Sequence, residues 1–313
     1  MTDAATSRPA MLVIVGTGRS GSTLLGRLLG ALPGAVHVGE VRFLWQRGLI
    51  EARLCGCGVP VPECPFWRAV LAEAYGARRP DPAAMHARLT AVTRLRRLPS
   101  WLLGERPVTD MAAVLAPLYA AIATISGARV VVDSSKLPTY AALLAAALPT
   151  AELDPAPALV HLVRDPRAAA YSWATATPAP DRGPGAVMER RGAARSALLW
   201  TAWNGAAAAL VRRQSSPARI RYEDLVAQPG AELARMAALV GLSVPRDFIA
   251  DGVVDLPSDH SLPGNPMRLR SGAIRIEGDD RWRTGLSARD AAVVQVLTRP
   301  LAARFGYGTG AAA

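Results

Sequence analysis

A short apolar run that ends in a glycine-rich turn constrains the fold of this chain more than any other feature. The run from Met11 to Val15 leads into the segment GTGRSGST, Gly16 to Thr23, and then into an apolar pattern of helical period. This order predicts a buried strand, a loop and a helix that begins at Ser22. The glycines let consecutive backbone N–H groups point at one anion, and the helix adds the positive end of its dipole. The segment therefore predicts a site for a phosphate or sulfate group.

A nucleoside triphosphatase loop is one interpretation of this segment. Its pattern is Gly-x4-Gly-Lys-Ser/Thr, and Gly16 and Gly21 have the required spacing. Ser22, however, occupies the position of the lysine, and the cation lies inside the loop as Arg19. This difference argues against the usual geometry of a magnesium triphosphate.

A dinucleotide-binding loop is a second interpretation. Gly16, Gly18 and Gly21 satisfy the pattern Gly-x-Gly-x-x-Gly. Glu40 lies at about the distance downstream that is expected of an acid that binds the ribose. The loop by itself therefore leaves an NAD-linked oxidoreductase open.

Apolar runs and helical patterns alternate along the chain, and this alternation predicts an α/β fold in which a P-loop-like central parallel sheet is flanked by helices. The predicted strands are Met11 to Val15, Val36 to Val38, Arg129 to Asp133, Leu159 to Val163 and Arg219 to Arg221. The predicted helices are Ser22 to Leu32, Phe66 to Ala77, Pro82 to Arg97, Ala112 to Ile125, Leu137 to Leu148, Pro166 to Ala174, Val187 to Arg213, Glu232 to Gly241 and Ala288 to Arg304. Ligands in such sheets bind beyond the carboxyl ends of the strands. Polar residues follow every predicted strand: the glycine-rich loop, Gly39-Glu40, Asp133 to Lys136, Arg164 to Arg167 and Tyr222 to Asp224.

A second motif joins the fourth predicted strand to a helix. In LVRDPRAAAYS, Arg164 ends the strand, Pro166 occupies the first turn of the helix and Ser172 lies two turns along. An arginine fork and a hydroxyl that converge in this way form a good site for a dianion. Pairing with Asp165 or another carboxylate is the alternative for Arg164 taken alone.

The string GRSGSTLL, Gly18 to Leu25, and the spacing of eight between Arg164 and Ser172 closely resemble the sulfotransferase family, which binds 3′-phosphoadenosine 5′-phosphosulfate (PAPS) and releases PAP. The resemblance extends over residues 11 to 308. Arg19 replaces the lysine of the cytosolic detoxifying members, whose late Arg-Lys-Gly segment is absent here. The chain looks more like the branch that contains bacterial carbohydrate and natural-product sulfotransferases and the tyrosylprotein sulfotransferases. A hydride-transfer enzyme needs neither the Arg–Ser pair nor a late basic loop, so the dinucleotide interpretation takes second place.

The resemblance implies which residues hold the nucleotide. Those implied for the 5′-phosphosulfate are Gly18, Arg19, Ser20, Gly21, Ser22 and Thr23, and those implied for the 3′-phosphate are Arg164 and Ser172. Tyr222 lies in the segment that runs past the adenine in this family. The segment from Gly264 to Arg270 is similar to a late loop that donates to the 3′-phosphate, here through Gly264, Asn265 and Arg268.

The resemblance also implies in-line transfer of the sulfuryl group to a hydroxyl of a small-molecule, glycan or secondary-metabolite acceptor. Glu40 matches the glutamate base of the similar branch, although a salt bridge to Arg42 or Arg19 is an alternative role. Lys136 is the only lysine among 36 basic residues, and the family has a catalytic lysine at this strand end. We expect Lys136 to stabilise the sulfuryl oxygens and Arg19 to take up charge on the leaving phosphate, without a metal. His37 is a competing base that we expect to be structural.

The chain is strongly basic but shows no pattern typical of nucleic-acid binding. It has 313 residues, a net charge of +11 and a pI of about 10.6. Its arginine pairs, such as Arg190-Arg191, are scattered along the chain, and we expect them on solvated helix faces. We therefore expect no nucleic-acid partner and keep a basic polyanion-binding module as an alternative.

The segment Met1 to Pro9 is polar, unlike a signal peptide, and the longest uncharged segment, Met111 to Gly127, is too short to span a membrane. We expect a cytoplasmic protein with no membrane span, in which a single domain at residues 11–308 lies between flexible tails at residues 1–10 and 309–313.

Cys55, Cys57 and Cys64 are the only cysteines and lie close together in the chain. Three thiolates bind zinc when a fourth ligand, such as His37 or His86, completes the site, and two of them could instead form a disulfide. In a cytosolic chain we favour reduced cysteines in an irregular loop over either arrangement.

The identity of the acceptor is not determined by these residues. We expect its pocket to be formed by Val41 to Arg53, the cysteine-containing loop and Thr177 to Arg190, and the Pro/Gly loops Thr177 to Gly185 and Asp255 to Gly272 could close over it. Five aromatic side chains could line the pocket, although we expect most of them in the core: Trp45, Phe66, Trp67, Trp173 and Trp203.

Overall fold

Five parallel strands form a central sheet in the order β2-β3-β1-β4-β5. The computed structural model describes residues 9–103, 109–148 and 156–308. The strands are β1 (Ala10–Gly16), β2 (Ala35–Gly39), β3 (Val130–Lys136), β4 (Ala158–Val163) and β5 (Ala218–Arg221). The predicted α/β fold with a central parallel sheet is confirmed. The predicted tails lie outside the described residues except for Pro9 and Ala10, and Ala10 already begins β1.

Helices pack on this sheet and account for much of the remaining chain. They are α1 (Ser22–Gly30), α2 (Pro65–Tyr75), α3 (Pro82–Val92), α4 (Leu98–Leu102), α5 (Thr109–Ser126), α6 (Pro138–Ala147), α7 (Pro166–Ala174), α8 (Ala193–Val211), α9 (Tyr222–Ala227), α10 (Pro229–Ala238), α11 (Trp282–Gly285) and α12 (Ala288–Arg304). A π-helix at Leu44–Ile50 and 3₁₀ turns at Val41–Phe43, Leu95–Arg97, Pro180–Arg182 and Pro266–Leu269 lie between them. Within the described part of the chain, no helix has the length and apolar character needed to cross a membrane.

The continuous apolar sequence of β1 reflects burial on both faces of the sheet. Successive side chains of a strand point to opposite faces. Met11, Val13 and Val15 therefore enter one hydrophobic core, whereas Leu12 and Ile14 enter another. This double burial fixes the strand from which the glycine-rich loop emerges.

The predicted helix from Val187 to Arg213 begins only at Ala193. The residues before it are extended because their backbone pairs with the chain that follows α7. In this pairing the Met188 N–H donates to the Thr177 carbonyl at 2.8 Å. The segment before α8 is thereby held near the carboxyl ends of the strands instead of continuing the helix.

Two strands that the sequence patterns did not predict form a separate antiparallel pair, β6 (Val253–Leu256) and β7 (Gly272–Arg275). Residues 257–271 between them belong to the predicted Pro/Gly loop. This segment lies against the end of β2, where the Leu262 N–H donates to the Val38 carbonyl at 2.9 Å. A Cβ on Gly39 would lie 2.5 Å from the Leu262 nitrogen, and Gly39 has a φ of 74°. Glycine at this position therefore allows the loop to dock on the sheet.

All three cysteines are free thiols and lie beside His260. His37 and His86, named as examples of a fourth ligand in the zinc alternative, are not the histidine beside the cysteines. His37 instead hydrogen-bonds through Nε2 to the Ser134 hydroxyl at 2.9 Å, and His86 lies within α3. His260 belongs to the loop of residues 257–271, here called the docked loop, and lies about two hundred positions after Cys55 in the chain.

Candidate active site

A cavity of about 630 Å³ lies at the carboxyl ends of the strands. β1 is central in the sheet, with β2 and β3 on one side and β4 and β5 on the other, so the chain turns in opposite directions there and opens a crevice. The predicted site residues that line the cavity are Gly18, Arg19, Gly21, Ser22, Thr23, Glu40, Lys136, Arg164, Ser172, Tyr222, Gly264 and Asn265. Ser20 and Arg268 are the predicted site residues that do not line it.

The charge of the cavity lining favours an anion. Its basic side chains are Arg19, Arg47, Lys136, Arg164, Arg182, Arg191, Arg195 and Arg281. Its acidic side chains are Glu40, Glu189 and Asp279. This excess of positive charge, focused in a concave site, raises the local concentration of anionic ligands.

Two of the predicted catalytic residues have a left-handed backbone. Arg19 has a φ of 66° in the glycine-rich loop, and Lys136 has a φ of 69° at the end of β3. This region is sparsely populated by residues other than glycine, and such strain is typical of ligand sites. Within the loop, the buried Ser20 hydroxyl donates to the Thr17 carbonyl at 2.8 Å. The Ser20 side chain thus holds the shape of the loop instead of facing the cavity.

Aromatic rings close on two glycines of the loop. A Cβ on Gly18 would lie 2.6 Å from Cζ2 of Trp173, and a Cβ on Gly21 would lie 2.5 Å from Cδ2 of Tyr222. These distances are too short for real Cβ atoms, so the packing requires glycine. Trp173 and Tyr222 therefore pack against the glycine-rich loop from α7 and from the start of α9.

The Arg19 side chain is half-buried, and two of its guanidinium nitrogens are buried without a polar partner among the described residues. Its Nε and Nη2 atoms make no hydrogen bond to any described residue. The guanidinium carbon lies 5.0 Å from the centre of the Trp173 ring. Burial lowers the pKa of Arg19, and the positive charge of Arg191 lowers it further. Because a buried unpaired charge costs free energy, this arrangement favours the binding of an anion.

Glu40 follows β2 and is held between two cations. Lys136 Nζ donates to Oε1 of Glu40 at 2.5 Å, and Arg47 Nη1 donates to Oε2 at 2.9 Å. The docked loop covers the carboxylate, since a Cβ on Gly264 would lie 2.5 Å from Oε1. The position of Glu40 therefore depends on three separate parts of the chain.

Opposing effects set the pKa of Glu40. Burial raises it, but the charges and hydrogen bonds of Lys136 and Arg47 outweigh burial, so the pKa of Glu40 lies below its ordinary value. The carboxylate is therefore ionised at neutral pH and can accept a proton. Arg42, one of the alternative partners for Glu40, instead donates to two threonine hydroxyls at 3.0 Å.

Arg164 and Ser172 reach the same cavity from the end of β4 and from α7. The Arg164 guanidinium carbon lies 4.4 Å from the centre of the Tyr222 ring, and Nη1 donates to the Arg19 carbonyl at 3.3 Å. Arg164 Nε is buried and has no hydrogen-bond partner among the described residues. The arginine is thus joined to the glycine-rich loop while part of its donor capacity remains unused.

A carboxylate pairs with Arg164, as the alternative interpretation of this arginine predicts, but it is Asp279. Arg164 Nη2 lies 3.2 Å from Oδ2 of Asp279, whereas Asp165 pairs with Arg167 at 2.8 Å. A hydrogen bond from Arg281, together with the charge of Arg164, lowers the pKa of Asp279 to about 2. Asp279 shows where a second anionic group can contact the arginine.

Arg268 lies in the interior instead of facing the cavity. Its Nη1 donates to the Ser261 carbonyl at 3.2 Å, and its Nη2 donates to the Leu54 carbonyl at 2.6 Å. Nη2 also lies 3.4 Å from a carboxylate oxygen of the buried Asp181. These bonds tie together segments that are distant in sequence, which indicates a structural role.

Sequence reasoning missed several residues of the cavity lining. The missed charged residues are Arg191, Arg195, Asp279 and Arg281, whereas Arg47, Arg182 and Glu189 lie within segments that the sequence analysis expected to form the acceptor pocket. Arg191, expected on a solvated helix face, packs on Trp173 with its guanidinium carbon 3.8 Å from the ring centre. Asp279 lies 115 residues from Arg164, so no local pattern could indicate their contact. Arg47 lies in the expected acceptor-pocket segment Val41 to Arg53, but its contact with Glu40, seven residues earlier, was not predicted.

The fold and the cavity define a class of α/β protein in which a glycine-rich loop follows the central strand and a basic cavity lies at a switch point of the parallel sheet. The model of the sulfotransferase family matches residues 9–246. The chain belongs to the sulfotransferase family. Its structure is similar to the sulfotransferase domain of the olefin synthase of Synechococcus PCC 7002, with a TM-score of 0.55, 19% sequence identity and coverage of 98% of each chain. That likeness supports the fold, and no curated protein sequence matches this chain.

Proposed function

We propose that the protein transfers a sulfuryl group from PAPS to a hydroxyl group of an acceptor. The observation that carries the proposal is that Arg19 and Arg164 lie in one cavity and that each has a buried nitrogen without a described partner. PAPS has two separate anionic ends, and the two arginines offer one site for each. Arg19 and the backbone N–H groups of its loop would hold the 5′-phosphosulfate, and Arg164 with Ser172 would hold the 3′-phosphate.

The remaining contacts to the nucleotide follow from the cavity lining. We assign them to the loop and helix residues Gly18, Gly21, Ser22 and Thr23, to Tyr222 near the adenine, and to Gly264 and Asn265 of the docked loop. The proposal gives Ser20 and Arg268 no direct contact, because both side chains bond within the protein. Their roles are to shape the loops that carry the ligand contacts.

Glu40 is the proposed base. The acceptor oxygen forms a bond to sulfur while the bond from sulfur to the phosphate oxygen breaks, and the hydroxyl proton passes to Glu40. Arg19 takes up the charge that develops on the departing PAP. We infer that Lys136 turns from Glu40 toward a sulfuryl oxygen when the donor binds. This movement removes one of the charges that depress the pKa of Glu40 and so makes the carboxylate a stronger base.

Positive side chains supply the charge stabilisation that this step requires. Arg19 and Lys136 flank the proposed position of the sulfuryl group, so the transfer needs no metal. The same cavity has an apolar part, lined by Phe43, Leu137, Met188, Leu199 and Trp203. We propose a small hydroxylated acceptor with an apolar part, drawn from small molecules, glycans or secondary metabolites. Trp173 and Trp203 are the aromatic candidates that line the cavity, whereas Trp45 and Trp67 lie in the core.

Transfer of label from sulfur-labelled PAPS to a panel of hydroxylated acceptors tests the proposal directly. Thermal unfolding with PAP or with NAD tests the nucleotide site before an acceptor is known. We expect PAP to raise the melting temperature and NAD to leave it unchanged. Stabilisation by NAD alone would contradict the proposal. Stabilisation by any polyanion that vanishes with added salt would instead favour a basic binding module.

A further inference from the structure

Four potential metal ligands lie together outside the cavity of the candidate active site. They are Cys55, Cys57, Cys64 and His260, and their three Sγ atoms and one imidazole nitrogen all lie within 4.8 Å of one another. None of the four residues lines the cavity. The proposed sulfuryl transfer therefore does not explain this cluster.

The distances in the cluster match those around a tetrahedral zinc ion. The Sγ atoms of Cys57 and Cys64 are 3.7 Å apart, and Nδ1 of His260 lies 3.4 Å from Sγ of Cys64 and 3.9 Å from Sγ of Cys55. Zn–S bonds of about 2.3 Å and Zn–N bonds of about 2.0–2.1 Å place tetrahedral ligands about 3.8 Å apart for S···S and about 3.5 Å apart for S···N. The ligand atoms thus already surround a space of the correct size.

We propose that Cys55, Cys57, Cys64 and His260 bind a structural zinc ion. Three thiolates and one imidazole form a closed set of four ligands, which is typical of structural zinc sites and leaves no position for a substrate. Binding converts the thiols to thiolates and releases their protons to solvent. The proposal does not depend on the sulfuryl transfer proposed above.

Local backbone structure positions the three cysteines. Gly58 has a φ of 89°, and its N–H donates to the Cys55 carbonyl at 2.9 Å, while the Cys55 N–H donates to the Val59 carbonyl at 2.7 Å. This tight turn presents Cys55 and Cys57 on one side of the loop. Cys64 is the N-cap residue of α2, so the start of this helix fixes its place beside the other two cysteines.

Aromatic contacts position the histidine. The His260 ring stacks on Phe66 with ring centres 4.8 Å apart and an angle of 5° between the planes. The Trp67 indole N–H donates to the His260 carbonyl at 2.8 Å. Both aromatic residues belong to α2, which begins directly after Cys64, so one helix orients two of the four ligands.

The proposed site also gives a reason for the burial of Arg268. Three thiolates and a zinc ion leave one negative charge. Arg268 donates to the Leu54 carbonyl next to Cys55 and to the Ser261 carbonyl next to His260, so its positive charge lies beside both halves of the site. The same guanidinium pairs with the buried Asp181, so it reduces the negative charge of the whole group without cancelling it.

A zinc ion here would fix the docked loop on the sheet. The ligand His260 lies four residues before Gly264, which covers the carboxylate of Glu40. The Gly56 N–H also donates to the Ser261 carbonyl at 2.9 Å, within the same pair of segments. The zinc would therefore act as a positioning element for the loop and would take no part in the transfer step.

Zinc content of the full-length protein tests this proposal. The chain is produced in zinc-supplemented medium, purified without a metal-affinity step and dialysed against metal-free buffer. We expect about one zinc per chain by elemental analysis. Replacement by Co²⁺ should give the intense visible absorption of tetrahedral cobalt and a thiolate-to-cobalt charge-transfer band. His260→Ala should lose the zinc and the charge-transfer spectrum of four-ligand cobalt, and the matched variant His86→Ala should keep both.

Three results would overturn the proposal. The first is wild-type protein that carries no zinc and gives no cobalt spectrum, with either three free thiols or a Cys57–Cys64 disulfide. The second is retention of zinc and of an unchanged cobalt spectrum in His260→Ala. The third is loss of zinc in His86→Ala. If His260→Ala is insoluble, the zinc content and the cobalt spectrum of the wild-type protein decide the question alone.

Discussion

The close approach of Gly264 to Glu40 allows a quantitative test of the proposed base. In Gly264→Ala, the new Cβ would lie 2.5 Å from Oε1 of Glu40, whereas ordinary van der Waals contact begins at 3.4 Å. Either the carboxylate or the docked loop must therefore shift by about 0.9 Å, the difference between these distances. The backbone conformation at Gly264 does not require glycine, since its φ is not positive. The substitution thus changes the position of Glu40 while the charge remains.

We expect Gly264→Ala to lower kcat about 10²-fold, because a displacement of about 1 Å in a reacting group has an effect of this size. PAP affinity should change much less, since the sites at Arg19 and Arg164 remain intact. Steady-state kinetics with labelled PAPS measures kcat, and calorimetry measures PAP binding. Gly205→Ala is the matched control, because its Cβ would lie 3.8 Å from Leu301 in ordinary contact.

The opposite pattern would refute the reasoning. If Gly264→Ala kept kcat within about threefold of the wild type at saturating substrates, the position of Glu40 would not matter for the chemical step. If PAP affinity fell while kcat remained, the effect of the substitution would lie in the contact of Gly264 with the nucleotide, and Glu40 would not be the base. A loss in Gly205→Ala equal to that in Gly264→Ala would indicate a general effect of added side-chain volume.

Three further predictions concern charged residues of the cavity. Glu40→Gln should lower kcat by at least about 10²-fold, because it removes the proposed base. PAP affinity should be nearly unchanged, because the contacts to the nucleotide remain. Unchanged turnover would exclude Glu40 from the reaction. Arg164→Ala should weaken PAP binding in calorimetry by at least about 1.5 kcal/mol, the scale of a hydrogen bond to a charged group. The control Arg246→Ala, which changes an exposed arginine, should leave PAP binding unchanged. Equal PAP affinities of Arg164→Ala and the wild type would contradict the assignment of Arg164 to the 3′-phosphate. The pKa of Asp279 is about 2 in the folded protein, below its ordinary value of 3.8. Between these two values the unfolded state binds more protons than the folded state. The ionised carboxylate therefore stabilises the fold above about pH 4, and this stabilisation is lost as the pH falls toward 2. Asp279→Asn should therefore have a lower melting temperature than the wild type at neutral pH, and its stability should fall less steeply between about pH 4 and pH 2. If its stability fell as steeply as that of the wild type, Asp279 would not be the source of this pH dependence.

Local patterns carried most of the information about the fold. The apolar run, the glycines and the helical period between Met11 and Gly30 lie within one strand–loop–helix unit, so the sequence alone could predict this unit. The Arg164–Ser172 motif is local in the same way. The helix boundary at Ala193 was not predictable, because it depends on pairing with the distant Thr177 segment.

The partners of the candidate site residues were less accessible to sequence reasoning. Glu40 was recognisable by its place after a strand, but its cations proved to be Lys136 and Arg47, and the carboxylate at Arg164 proved to be Asp279. The histidine beside the cysteines was likewise outside the predicted choices. Except for the contact between Glu40 and Arg47, these contacts join segments that are distant in the chain and come together only in the folded structure.

The sequence by itself determined the alternation of strands and helices, the glycine-rich loop and the polar positions that follow the strand ends, because these follow from periodicity and from residues adjacent in the chain. The tertiary structure decided that Arg268 lies in the interior, that Glu40 lies between two cations and that His260 joins three cysteines. The physical reason is that ion pairs and ligand clusters depend on distances in space, which the chain fixes only by folding around its buried sheet.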